Sequence, residues 1–243
     1  MSPMLTETLI GATAREGRAI LAAVKSDPGA EVAACPGWTT TQLLGHVGHV
    51  HRFVTSVVAG RATKAPERVR YEAPDEPWDW YEEGLETLLG ALRDLDPTEP
   101  LWSWTDRRNG GFYHRRMAHE NTIHRWDAEN ATGTPAHIDP DIAADGVGEV
   151  LAVGMRYRGD GSPIDYPESS VLLVRTDGSD RWLIRTVDHT LLVATDGDAG
   201  DRADATLTGP AEDLYLHLWG RPAHALRISG DPDTAAAWGA VAP

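Results

Sequence analysis

The chain has 243 residues, 41% of them hydrophobic, which is enough for one large domain or two modest ones with a core each. Its 37 acidic side chains against 22 basic ones give a formal charge of −15, a surface that repels nucleic-acid phosphates and anionic membranes, so neither is expected as a partner. A single cysteine, Cys35, excludes an internal disulfide framework. The start MSPMLTETLI is too polar for a signal peptide and no apolar run is long enough to span a bilayer, so the expected compartment is the cytoplasm.

Residues 4 to 25 place Leu5, Leu9, Ile10, Ile20, Leu21 and Val24 at helical intervals, and Asp27, Pro28 and Gly29 end that helix. After the turn CPGW, Thr39 or Thr40 caps a second, amphipathic helix that runs to Gly60 through Leu43, Leu44, Val47, Val50 and Val54. Residues 61 to 77 are charged and proline-bearing, an exposed connection. A third helix is predicted from Trp78 to Leu95. The stretch PLWSWTDRRNGGFYHRR then reads as a loop or hairpin with Gly110 and Gly111 at its tip, offering Trp102, Trp104, Arg115 and Arg116 to a ligand. A fourth helix follows from about Tyr113 to Ala131.

Four helices joined by long connections fit a bundle that binds cofactors between facing helices. Asp139 to Tyr157 reads as a further short helix, and Arg158 to Pro163 as a linker. Beyond it the period changes. SVLLVRTDGSDRWLIRT is a hairpin signal, HTLLVATDGD adds a strand, ATLTGPAEDLYLHLWGR leads from a strand into a helix, and ALRISGD with Pro232 to Ala240 supplies a last strand and helix. The expected architecture is a helical bundle over residues 1–158 and a small α+β domain over 164–243, the latter an antiparallel layer with helices on one face.

The fourth helix carries the chemistry. In MAHENTIHRWDAENA, Glu120 and His124 are four residues apart and project from one face about a turn apart. His119 and His124 are five apart, about 140° around the helix, so this is not the paired-histidine peptidase motif. A catalytic zinc usually takes three protein ligands plus an open position, so a third must come from elsewhere. LLGHVGHVHRFV offers His46 and His49 on one face, with His51 rotated about 140° from His46. Spacing does not choose between His46 and His49. Asp127, three residues after His124, is placed to orient a ligand. Cys35 reads as a half-buried turn residue, since no cationic neighbour is evident to activate it.

The pattern CPGWTTTQLLGHVGHV, followed some seventy residues later by HENTIHRWDAE, resembles the maleylpyruvate isomerase family of mycothiol-dependent enzymes, as does the tail LTGPAEDLYLHLWGRPAHALRISGD. The resemblance implies a DinB-like four-helix metal-binding bundle followed by a domain related to sterol carrier proteins. It implies His46, Glu120 and His124 as metal ligands, zinc being best suited to that nitrogen and oxygen set, and mycothiol, the small thiol of actinobacteria, as cofactor. It also implies that Arg221 reaches the site to bind a substrate carboxylate. In the isomerase version the thiol adds to a cis double bond of maleylpyruvate and leaves after rotation. In transferase relatives it stays attached to the electrophile. A non-catalytic binding protein and a metal hydrolase using water are the competing expectations, and the chain is expected to be a monomer or homodimer.

Overall fold

The computed structural model describes residues 4–67, 69–134, 136–157, 162–200 and 202–241. The linker expected over Arg158 to Pro163 falls largely outside them. The chain forms two compact units, one of Met4–His137 and one that begins at Ile138. The helix read at Asp139 to Tyr157 therefore belongs to the second unit.

The first unit is built on α1 (Thr6–Ser26), α2 (Thr40–Ala59), α3 (Trp78–Arg93) and α4 (Gly110–Ala131), with α1 lying along α4 and α3 along α2. Ile20, Leu43, Leu44, Tyr81, Leu85 and Leu89 are buried between them. Their helical spacing turns one stripe of each helix inward, and water removed from these side chains is the main favourable term in folding. Gly48 lets Trp80 pack close against α2, since a Cβ there would lie 2.3 Å from the indole.

α4 starts earlier than its sequence suggests. Gly110 and Gly111 form its first turn rather than the tip of a hairpin. Asn109 caps it by accepting from the Phe112 amide at 3.1 Å, and Gly110 approaches the Asp96 carbonyl so closely that a Cβ would sit 2.2 Å from that oxygen. The preceding segment closes through a bridge between Pro100 and Asn109.

Helix α4 is polar in sequence yet buried on nearly all sides, including His114, Arg116, His119, Asn121, His124, Arg125 and Asp127. Polar groups out of water need partners, and here many find them locally. Arg125 Nε donates to Glu16 at 2.6 Å, Nη1 to Glu129 at 2.7 Å and Nη2 to the His137 carbonyl at 2.7 Å. Asn121 Nδ2 donates to the Met117 carbonyl at 2.8 Å, while its Oδ1 lies 3.0 Å from His51 Nε2. His114 Nε2 lies 2.9 Å from the Leu92 carbonyl.

The second unit opens with α5 (Pro140–Glu149), capped by Asp139 and extended by a π-helical turn over Val150–Gly154. Strands β1 (Ser170–Arg175), β2 (Arg181–Val187), β3 (Thr190–Thr195), β4 (Ala205–Gly209) and β5 (Arg227–Gly230) form one sheet in the order β3-β2-β1-β4-β5. The sheet is mixed rather than wholly antiparallel, because the segment after β3 returns the chain so that β4 runs parallel to β1, pairing Leu173 with Leu207. Helices α6 (Ala211–Leu218) and α7 (Pro232–Gly239) follow β4 and β5. Register puts Val171, Leu173, Ile184 and Leu207 on one face, where they surround a small apolar space with Leu218 and Trp238. Among the described residues no helix is long and apolar enough to cross a membrane.

Candidate functional site

The first unit gathers His46, Glu120 and His124 into one cluster. Helix α2 presents His46 because Thr39 starts it with reciprocal hydrogen bonds: the Gln42 amide donates to Thr39 Oγ1 at 3.3 Å, and the Thr39 amide donates to Gln42 Oε1 at 2.8 Å. The turn before it, with Gly37 in the left-handed region at φ +82°, brings the Trp38 ring to 5.2 Å from that of His46.

His46 Nε2 stands 3.3 Å from Glu120 Oε1, and His124 Nε2 stands 3.4 Å from the same oxygen. The two imidazoles meet edge to face, 5.2 Å between centroids. One ligand-type atom from each of the three residues lies within 4.8 Å of the others. A tetrahedral ion with bonds of about 2.0–2.2 Å separates its ligand atoms by roughly 3.4 Å, so the donor set and spacing fit a zinc-like cation. His49, the alternative left open by spacing, turns elsewhere: its Nδ1 accepts from the Tyr71 amide at 3.1 Å. His51 bonds to Asn121 in the core.

The surroundings fix which atoms are available. Arg116 Nη2 donates to Glu120 Oε2 at 2.6 Å, which leaves Oε1 toward the histidines. Burial pushes the Glu120 carboxyl up, but the Arg116 charge and hydrogen bonds with His124 and His46 outweigh it and hold the group well below its ordinary value. Asp127 Oδ2 lies 3.1 Å from His124 Nδ1 and leaves Nε2 to face Glu120. His46 is the open side of the cluster, with 36% of its side chain exposed against 12% for Glu120 and 11% for His124. It lines a cleft of about 890 Å³ with Trp38, Gln42, His49, Arg70 and Tyr71.

The other expected site residues are distributed differently. Arg116 is buried and bonded to Glu120; Arg115, one residue earlier, is half-buried. Trp102 and Trp104 join an aromatic group, Trp102 at 6.4 Å from Phe53 and Trp104 at 4.9 Å from Phe112. Phe53 lines the cleft two helical turns from His46, roughly 10 Å along α2, and it is this ring that Trp102 meets edge to face. Arg221 belongs to the second unit, where Nη1 donates to the Trp219 carbonyl at 2.6 Å.

Cys35 has a neighbour that sequence reading did not reveal. Ligand-type atoms of Cys35, His124 and Asp127 also lie within 4.8 Å of one another. No local signal could show this, since the CPGW turn meets α4 only through the fold.

A helical bundle carrying a His/Glu/His cluster, joined to a small α+β unit, is the class that fold and site define. Residues 10–129 match the model of the mycothiol maleylpyruvate isomerase N-terminal domain, and residues 141–238 match the MDMPI C-terminal domain. The chain belongs to the mycothiol maleylpyruvate isomerase family. It is similar in fold to the crystal structure of the mycothiol-dependent maleylpyruvate isomerase, with 14% identity, a TM-score of 0.59 and 93% of each chain covered. A histidine-to-alanine variant of that enzyme gives 13% identity and a TM-score of 0.58, again over 93% of each chain. No curated protein matches the chain in sequence.

Proposed function

We propose that the chain is a metal-dependent enzyme in which His46, Glu120 and His124 hold one divalent cation, zinc by ligand type, and in which a small thiol, mycothiol by family, is the nucleophile. The observation that carries this reading is the spacing of the two Nε2 atoms around one Glu120 oxygen, at 3.3 and 3.4 Å, on the wall of an open cleft. A cation bound there supplies a lowered pKa to a coordinated thiol, so that the nucleophile exists at neutral pH.

The chain's own residues do the rest. Arg116 holds the Glu120 carboxylate ionised and turned toward the histidines. Asp127 fixes the His124 ring, and Trp38 closes one side of His46. The reaction is either cis/trans isomerisation of a maleylpyruvate-like acid or transfer of the thiol to an electrophile, two outcomes that share the same first step. Arg221 is proposed to meet a substrate carboxylate, as the family resemblance implies, and the cytoplasm is the proposed compartment.

The test is a metal analysis of the purified chain and of His124→Ala, with turnover assayed against maleylpyruvate and a panel of electrophiles with and without thiol. About one ion per chain, lost in the variant, and thiol-dependent turnover are expected. Full activity in metal-free protein would sink the proposal. Turnover without thiol would point to a hydrolase, and binding without turnover to a sensor or accessory protein.

A further inference from the structure

We infer that Arg70 is the contact for a carboxylate of the electrophile, so that the cleft beside His46 selects an anionic acid over its uncharged counterparts. This rests on the thiol-dependent reading above and adds a second side chain, beside the proposed Arg221, that reads the acid's charge.

Arg70 lies on the connection between α2 and α3 and lines the same cleft as His46. The connection is fastened at the next residue. The Tyr71 amide donates to His49 Nδ1 at 3.1 Å, and the two rings lie 5.8 Å apart, so Arg70 is carried by an anchored stretch of backbone. Its guanidinium makes no hydrogen bond or ion pair with any described residue. Nearby arginines are differently placed: Arg116 is bound to Glu120, and Arg52 donates to the Trp80 carbonyl and stands 3.7 Å from Glu83.

In a chain with 37 acidic side chains, an arginine without a carboxylate partner on a cleft wall is a cation left for an outside anion. The planar fork of a guanidinium fits a carboxylate with two parallel hydrogen bonds. The cleft therefore suits a ligand that brings one carboxylate to Arg70 and its reactive carbon toward the cluster.

The experiment uses the full, metal-loaded chain and the variants Arg70→Gln and Arg70→Lys. Maleate, an unsaturated dicarboxylate, and its uncharged diamide are titrated while tryptophan emission is followed, since Trp38 lines the cleft. Loss of a charge-assisted pair is expected to weaken maleate binding about tenfold or more in Arg70→Gln, with part of it regained in Arg70→Lys. Diamide binding, thiol binding and metal content are expected to stay as in the parent chain. Unchanged maleate affinity in Arg70→Gln overturns the inference, as does equal weakening of the diamide. Weakened thiol binding with maleate unaffected also overturns it, by moving the contact to the cofactor. Arg70-dependent maleate binding in a chain that shows no thiol-dependent turnover supports the anion contact and removes only the proposed reaction.

Discussion

Asp127 Oδ2 stands 3.1 Å from Nδ1 of His124, and this contact decides which ring nitrogen is left for Glu120. An ionised carboxylate can only accept, so once the ring is neutral its one proton belongs on Nδ1 and the lone pair on Nε2. Replacing Asp127 by Asn keeps the shape but brings a donor that can reverse the tautomer. The expected result is metal affinity weakened about 10- to 100-fold in Asp127→Asn, measured by competition with a chromophoric chelator. Equal affinity would mean that the ring is held by its packing alone.

Metal affinity is expected to rise with pH. Burial pushes His124 down, but hydrogen bonds to Asp127 and Glu120 and the charges of both carboxylates outweigh it and push the ring up to about 9. A cation must then displace a proton at neutral pH, so apparent affinity should strengthen about tenfold per pH unit and level off near pH 9. The metal-free fold shows the other side of this linkage. A pKa raised from 6.5 contributes stability that is complete below pH 6.5 and is lost as pH rises through about 9. Chemical denaturation of metal-free protein at pH 7 and pH 9.5 should show the loss, and no such loss should appear in metal-loaded protein.

Much of this architecture was legible in the sequence, and the exceptions have physical causes. Apolar periodicity located α1, α2 and α3 because each buries one stripe. Helix α4 buries polar groups on nearly all sides, so period alone could not mark its start, and Gly110 looked like a loop tip because its need for close approach to Asp96 comes from outside the helix. The i, i+4 spacing of Glu120 and His124 was visible as a shared face. Spacing left His46 and His49 equal and only the family resemblance favoured His46; the contact of Tyr71 with His49 is a long-range fact with no local mark. The bond from Arg116 to Glu120 one turn on had no separate mark in the sequence. Cys35 near His124 and the parallel pairing of β1 with β4 are long-range facts with no local mark.

His51 gives the fold an acid sensitivity separate from any metal. The ring is fully buried, and burial drives its pKa from 6.5 down to about 4 against the smaller raising effects of the Asn121 hydrogen bond and the Glu120 charge. The unfolded chain takes up this proton and the folded chain does not. Stability from this group is therefore complete above pH 6.5 and falls as pH drops toward 4, by on the order of 3 kcal/mol in all. Urea denaturation of the parent chain and of His51→Gln at pH 7.5 and pH 5 tests this. The variant should be less stable at pH 7.5 but lose less than the parent on acidification, and parallel losses would assign the acid sensitivity to other groups.

The pair of Glu16 on α1 and Arg125 on α4 should be the most sensitive polar contact of the first unit. Glu16 Oε2 accepts from Arg125 Nε at 2.6 Å, and both side chains are almost wholly buried, at 7% and 6% exposure. Removing one partner takes away part of a buried charge's pairing, Arg125 keeping Glu129 and Glu16 keeping Arg15, so Glu16→Ala or Arg125→Ala should each cost about 1–3 kcal/mol. Arg125 also holds Glu129 and the His137 carbonyl, so its loss should be the larger of the two. The double variant tests whether this is an interaction or two separate effects. If the ion pair dominates, removing both residues costs clearly less than the sum of the single losses, because the second removal no longer breaks the contact between them. Strict additivity in denaturant midpoints would instead assign the damage to packing lost between α1 and α4.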